Sequence, residues 1–153
     1  MSFNRSLNHS VAHAISFKVD TPNVLPLSPI YNKSTNEPYY DQCFQEINKI
    51  GEGSFGEVFK VKSKEDGQYY AVKKSKQYFR SSKYRQERLE EVKRYEEFSE
   101  HEHCVTLHKA WEQDDHLYMQ MELCKENLET YALDNIIAEP QIWSILLDLL
   151  LVK

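Results

Sequence analysis

Apolar and polar positions alternate along several short runs of this chain and recur at helical spacing along two longer ones. Phe44 to Ile50 and Glu57 to Lys62 flank a glycine cluster and read as paired strands; in the second, Val58, Lys60 and Lys62 alternate with Phe59 and Val61. Asp66-Gly67 marks a hairpin turn, and Gln68 to Lys74 reads as a third strand. From about Ser82 to Ser99 the period turns helical. Leu89, Val92, Tyr95 and Phe98 recur every three residues on one side, and Glu90 with Arg94 makes a favourable i,i+4 pair. Two more strand runs, Cys104 to Glu112 and His116 to Glu122, are joined across Gln113-Asp114-Asp115. Pro140 then opens a helix in which Trp143, Leu146, Leu147, Leu150 and Leu151 form one apolar stripe. Three strands, a helix, two strands and a helical tail predict an α+β layer built on a five-stranded, mostly antiparallel sheet.

Residues 1–40 break this pattern. They hold four of the five prolines, six serines and five asparagines, with no sustained period, which predicts a disordered or extended leader. Thr21-Pro22 and Ser28-Pro29 within it are either turn-forming dipeptides or sites of proline-directed phosphorylation.

Composition narrows the function classes. A chain of 153 residues is one domain's length. A net charge of −5 gives no overall electrostatic case for a nucleic-acid partner. The longest apolar run, Trp143 to Val152, is short and contains Asp148, so no membrane span is expected in this chain. The first residues lack the apolar core of a secretory signal. Cys43, Cys104 and Cys124 are odd in number and widely spaced, which fits reduced thiols and a cytoplasmic setting.

Three of only four glycines fall within six positions, in Gly51-Glu52-Gly53-Ser54-Phe55-Gly56-Glu57-Val58. This is G-x-G-x-x-G-x-V between two strands. A dinucleotide-binding version requires a helix directly after the loop, whereas a strand follows here. The context favours a flap whose backbone lies over nucleotide phosphates, with an ordinary glycine-rich hairpin as the alternative. Tyr70-Ala71-Val72-Lys73 lies on the third strand, its lysine 22 residues past Gly51. A cation on a rigid strand beneath a phosphate cradle makes charge-assisted contacts. Such a lysine needs a carboxylate, and Glu87, Glu90 and Glu91 on the helix are the candidates. At Met119-Gln120-Met121-Glu122-Leu123-Cys124 a strand runs into a polar connection; its backbone suits an adenine edge, with Val58 and Ala71 covering the ring. His101, His103, Cys104 and His108 match no zinc spacing, so no metal site is expected.

Together these stretches resemble the N-lobe of a eukaryotic protein kinase and, more narrowly, the Wee-type inhibitory kinases, nearest to the membrane-associated branch specific for tyrosine and threonine. The likeness runs from about residue 24 to the C-terminus. It rests on Gly51 through Val61, Ser63-Lys64-Glu65-Asp66-Gly67, Tyr70 through Lys73, Leu89-Glu90-Glu91-Val92, Ala110-Trp111-Glu112 and Glu122-Leu123-Cys124. The resemblance implies an N-lobe and hinge over 41–124 and the start of a C-lobe over 125–153. It implies an ATP site in which Ile50, Gly51, Gly53, Ser54, Phe55 and Gly56 form the flap and Val58 and Ala71 the adenine contacts. Lys73 would hold phosphate, Glu91 would be its helix partner, Met121 the gatekeeper, and Glu122, Leu123 and Cys124 the hinge. It further implies magnesium in the full-length parent and, as substrate, threonine and tyrosine of a cyclin-dependent kinase with its cyclin. That modification restrains mitotic entry. Relatives of this kind are nuclear, cytoplasmic or attached to endoplasmic reticulum and Golgi membranes.

The pattern then stops. No glycine follows Gly67, so D-F-G does not occur, and no arginine follows Arg94, so neither does an H-R-D loop. The chain is expected to bind ATP weakly and to transfer no phosphate by itself. It reads as a fragment of a longer kinase, with a short non-catalytic binding module as the rival. Leaving the five stripe residues of the last helix uncovered would forfeit about 8–15 kcal/mol of burial. That predicts self-association, or a partner, at Trp143 to Leu151.

Overall fold

A computed structural model describes residues 9–18, 27–76 and 81–151. In chain order the elements are β1 (His13–Ile15), α1 (Tyr39–Cys43), β2 (Phe44–Glu52), β3 (Gly56–Ser63) and β4 (Tyr69–Ser75). They continue with α2 (Ser82–Phe98), β5 (Leu107–Gln113), β6 (His116–Glu122), α3 (Leu128–Asp134) and α4 (Glu139–Leu151). The strands make one sheet in the order β1-β5-β6-β4-β3-β2, every pairing antiparallel.

Alternation along the strands sends side chains to two faces, and both are apolar over part of their area. The outer face carries Phe44, Val61, Val72, Trp111 and Tyr118. Its rings are stacked: Trp111 lies 5.1 Å from Tyr118 with planes 3° apart, and 5.9 Å from Phe44 at 9°. Tyr39 of α1 closes this cluster edge-on, 4.8 Å from Trp111. The inner face carries Ala110, Leu117, Met119 and Met121, against which α2 sets Val92. The helix starts at Ser81, whose hydroxyl accepts the Tyr84 amide as an N-cap. Its largely charged surface is tied down by Arg85, which donates to both oxygens of Glu112 at 2.8 Å.

The strand count is corrected. The sheet has six strands rather than five, and the extra one comes from the stretch read as a disordered or extended leader. In β1, His13, Ala14 and Ile15 pair with Glu112, Trp111 and Ala110. Three residues are too few to show a period, so what orders this segment is long-range. Gln113 joins the two parts of the leader, its Nε2 donating to the Ser10 carbonyl and its Oε1 accepting the Tyr39 amide. The Tyr39 hydroxyl accepts the Ser28 amide, and the Tyr31 hydroxyl accepts that of Ala12. Ser28 is only 5% exposed. The other Ser/Thr-Pro site, Thr21, lies outside the described residues.

The β5–β6 turn depends on the same segment. Asp114 and Asp115 both adopt left-handed backbone, at φ 51° and 59°, the conformation a tight hairpin requires. The Asp114 carboxylate accepts the Ser10 amide at 2.7 Å and meets His9 Nδ1 at 2.8 Å. Burial pushes its pKa up, but the Ser10 and His9 contacts outweigh this and hold it below the ordinary value.

In α4 none of the residues is buried, and Trp143 is 64% exposed. The expected uncovered stripe is therefore present on the described chain. Among the described residues no helix is long and apolar enough to cross a membrane.

Candidate nucleotide site

Strand register assembles the site. Gly51 pairs with Val58, Val58 with Lys73, and Lys73 with Met119, so these form one row across four strands. The neighbouring row sets Lys60 opposite Ala71 and Ala71 opposite Met121. Val58, Ala71 and Lys73 thus share the inner face, beside the loop between β2 and β3.

That loop is closed by the Gly53 amide donating to the Gly56 carbonyl at 2.9 Å. Its glycines differ in what the fold asks of them. A Cβ at Gly56 would lie 2.4 Å from the Lys74 carbonyl oxygen, so the close approach of β3 to β4 requires glycine there. A Cβ at Gly53 would meet nothing within 4 Å. The fold leaves Gly53 open space above its backbone, as a loop that approaches a ligand closely would need. Ile50, Ser54 and Phe55 are exposed around it.

Lys73 Nζ forms an ion pair with Glu91 Oε1 of α2, both side chains being mostly covered. Of the three candidate carboxylates it is Glu91 that meets the lysine; Glu90 instead accepts Gln86 Nε2 at 3.1 Å. Helix geometry fits the choice, because Glu91 lies one turn before Tyr95, which packs with Val92 on the inner cluster. A held ammonium beside open loop backbone can take up a polyanion by charge-assisted hydrogen bonds.

At the other end, Met121 is buried and Glu122 exposed. The Glu122 carboxylate turns back to accept the Thr106 amide at 3.0 Å, and its own amide donates to the Thr106 carbonyl. Hydrogen bonds from Thr106 hold its pKa below the ordinary carboxylate value. Leu123 is half-buried and Cys124 exposed in the connection that follows.

Two clefts flank α2. One of about 560 Å³ is lined by Phe55, Glu87, Arg88, Glu90, Glu91 and Arg94. The other, about 370 Å³, runs from Glu91 and Tyr95 to Cys104 and Val105. Neither is lined by Val58, Ala71 or Met121. Among the described residues no group of three or more His, Cys, Asp or Glu is placed to hold a metal ion.

Sequence reasoning missed the anchor beneath the loop. Glu52 takes hydrogen bonds from Lys49 and Lys76, which hold its carboxyl down at about 2. The Lys76 amide donates to the Phe55 carbonyl at 3.4 Å. Glu52 and Lys76 are 24 positions apart, and no local pattern links them.

Residues 44–151 match the family described as protein kinase domain. The chain belongs to the protein kinase family. Within it, the likeness is to Wee-type members. The chain is 56% identical over 146 residues to a membrane-associated tyrosine- and threonine-specific cdc2-inhibitory kinase of Drosophila melanogaster, covering 92% of this chain and 27% of that protein. The corresponding kinase wee-1.3 of Caenorhabditis briggsae is 39% identical over 127 residues, covering 80% of this chain and 19% of that one. Wee1-like protein kinase 1-A of Xenopus laevis is 34% identical over 122 residues, covering 76% and 21%. The chain therefore spans about a quarter or less of the length of these relatives. Protein kinase domains use ATP with magnesium, and the six-stranded sheet with α2 is the N-lobe of such a domain.

Proposed function

We propose that this chain is the ATP-binding part of an inhibitory threonine/tyrosine protein kinase that acts on a cyclin-dependent kinase, in its cyclin complex, and restrains mitotic entry. The observation that carries the proposal is the Lys73–Glu91 ion pair, one strand away from a loop with open backbone at Gly53. ATP supplies the transferable phosphoryl group, with magnesium in the full-length parent. In this reading Glu91 aims Lys73 at the phosphates, and Gly51, Gly53, Ser54 and Gly56 give the flap its close backbone approach. Ile50, Phe55, Val58, Ala71 and Met121 provide the apolar surround, and Glu122, Leu123 and Cys124 the polar edge.

The sequence carries no D-F-G and no H-R-D loop, which supports a further part of the proposal: the chain alone holds ATP weakly and transfers no phosphate. Membrane attachment of the full-length parent belongs to the same proposal, on the printed name of the Drosophila relative, and so does cytoplasmic placement of this piece, on its three free cysteines.

A titration with a fluorescent ATP analogue tests the site. Saturable binding that Lys73→Met weakens at least about tenfold is expected, the order of one charge-assisted contact. Binding unaffected by Lys73→Met would overturn the assignment. Phosphate transfer from labelled ATP to a cyclin-dependent kinase by the purified chain would overturn the inactive reading.

A second reading is favoured by α4. Trp143, Leu146, Leu147, Leu150 and Leu151 remain exposed together, which suits a non-catalytic module that associates with itself or a partner through that helix.

A further inference from the structure

Helix α2 also carries a mostly covered cation, Arg88. It lies one turn before Glu91 on α2, its side chain is 11% exposed, and its Nε is buried with no hydrogen-bond partner. Its guanidinium carbon sits 4.3 Å from the centre of the Phe55 ring and 5.4 Å from that of Tyr84. Its Nη1 donates to Glu91 Oε2 at 3.4 Å, while Lys73 takes Oε1. A guanidinium is suited to this position, because it is permanently charged, weakly hydrated and flat enough to stack on a ring while donating in its plane.

We propose that Arg88 is a positioning residue that couples closure of the glycine loop to the Lys73–Glu91 pair. The coupling follows from what each neighbour loses. Phe55 stands at the exposed loop tip, and Arg88 is the cation over its ring. When the tip lifts, Arg88 loses the nearer of its two rings and keeps only Tyr84, and its grip on Glu91 Oε2 loosens. The carboxylate is then fixed through one oxygen only, and Lys73 has a less constrained partner. When the tip is down, both oxygens of Glu91 are engaged and Lys73 is aimed. Loop closure and lysine alignment therefore favour each other. This inference rests on the nucleotide-site reading for its role, but the coupling itself belongs to the free chain.

Amide hydrogen exchange on the full chain tests it without nucleotide. The reporters are the Gly53 amide, bonded to Gly56, and the Lys76 amide, bonded to Phe55. Phe55→Ala and Arg88→Ala are each expected to speed exchange of both by about two- to fivefold, the size of one partly exposed cation–π contact. The double variant should exchange no faster than either single one, and Arg88→Lys should recover part of the protection. Core amides of β4 and β6 serve as the reference. A merely structural Arg88 would speed these by the same factor, and that result overturns the proposal. So would additive effects in the double variant, or reporters unmoved by Arg88→Ala. Phe55 is 54% exposed, so its variant keeps the test valid if Arg88→Ala fails to fold. A separate titration with the fluorescent ATP analogue distinguishes the two claims. No binding to any form would remove the nucleotide reading, while the exchange pattern would still decide the coupling.

Discussion

On the outer face of the sheet, Phe44, Trp111 and Tyr118 stack in near-parallel planes beneath Tyr39, and the leader seals them from water. On the inner face, apolar contact with α2 is confined to a few residues around Val92, and the rest is given to Lys73, Glu91, Arg88 and open loop backbone. One side commits its area to burial, while the other keeps charged groups mostly covered yet within reach of a ligand. The difference shows how one sheet separates staying folded from holding a polyanion. Stability should reside mainly in aromatic packing contributed by residues far apart in sequence, and chemistry in a few ion pairs that contribute little to folding.

Substitutions on the two faces should therefore behave differently. Trp111→Ala empties the centre of the outer cluster and should cost about 3–5 kcal/mol, enough to abolish cooperative unfolding in urea for a marginal domain. A variant that unfolds like the parent would show that the leader does not depend on this cluster. Asp114→Asn should have a smaller effect, visible in its pH dependence. The folded pKa of Asp114 is depressed, so its contribution is complete above the ordinary value of 3.8 and is lost as pH falls through the lower folded value. Urea midpoints taken downward from pH 5 should fall less steeply in Asp114→Asn than in the parent; equal slopes would dismiss the turn as a clamp on the leader. The smallest change in stability belongs to the inner face. Removing both partners with Lys73→Met and Glu91→Gln should shift unfolding by only about 1 kcal/mol, since the Lys73–Glu91 pair is partly solvated and the amide oxygen of the glutamine still accepts from Arg88. A loss comparable with that of Trp111→Ala would erase the contrast between the faces.

Much of this was readable from the residues. Strands β2 to β6 and helix α2 announce themselves by period and turn chemistry, and Gly51 through Val58 with Lys73 follow from spacing. Glu91 required more, because Glu87 and Glu90 share its helix and only the docking of α2 through Val92 and Tyr95 decides which carboxylate meets Lys73. β1 escaped because three residues carry no period and its stability comes from Gln113, Asp114 and Trp111. α1 and α3 are too short for a periodic signal. Glu52–Lys76 and Arg88–Phe55 join residues that only the folded loop brings together.

The leader's attachment also bears on the order in which the protein takes shape. Ser10 and His9 find their partners 103 to 105 positions later, at Gln113 and Asp114. A chain emerging during synthesis presents this segment long before β5 and β6 exist to receive it. Contacts of such separation close late and slow folding. Until then Trp111, Tyr118 and the free edge of β5 stay open to any neighbouring chain, so nascent copies in close company are most vulnerable in that interval.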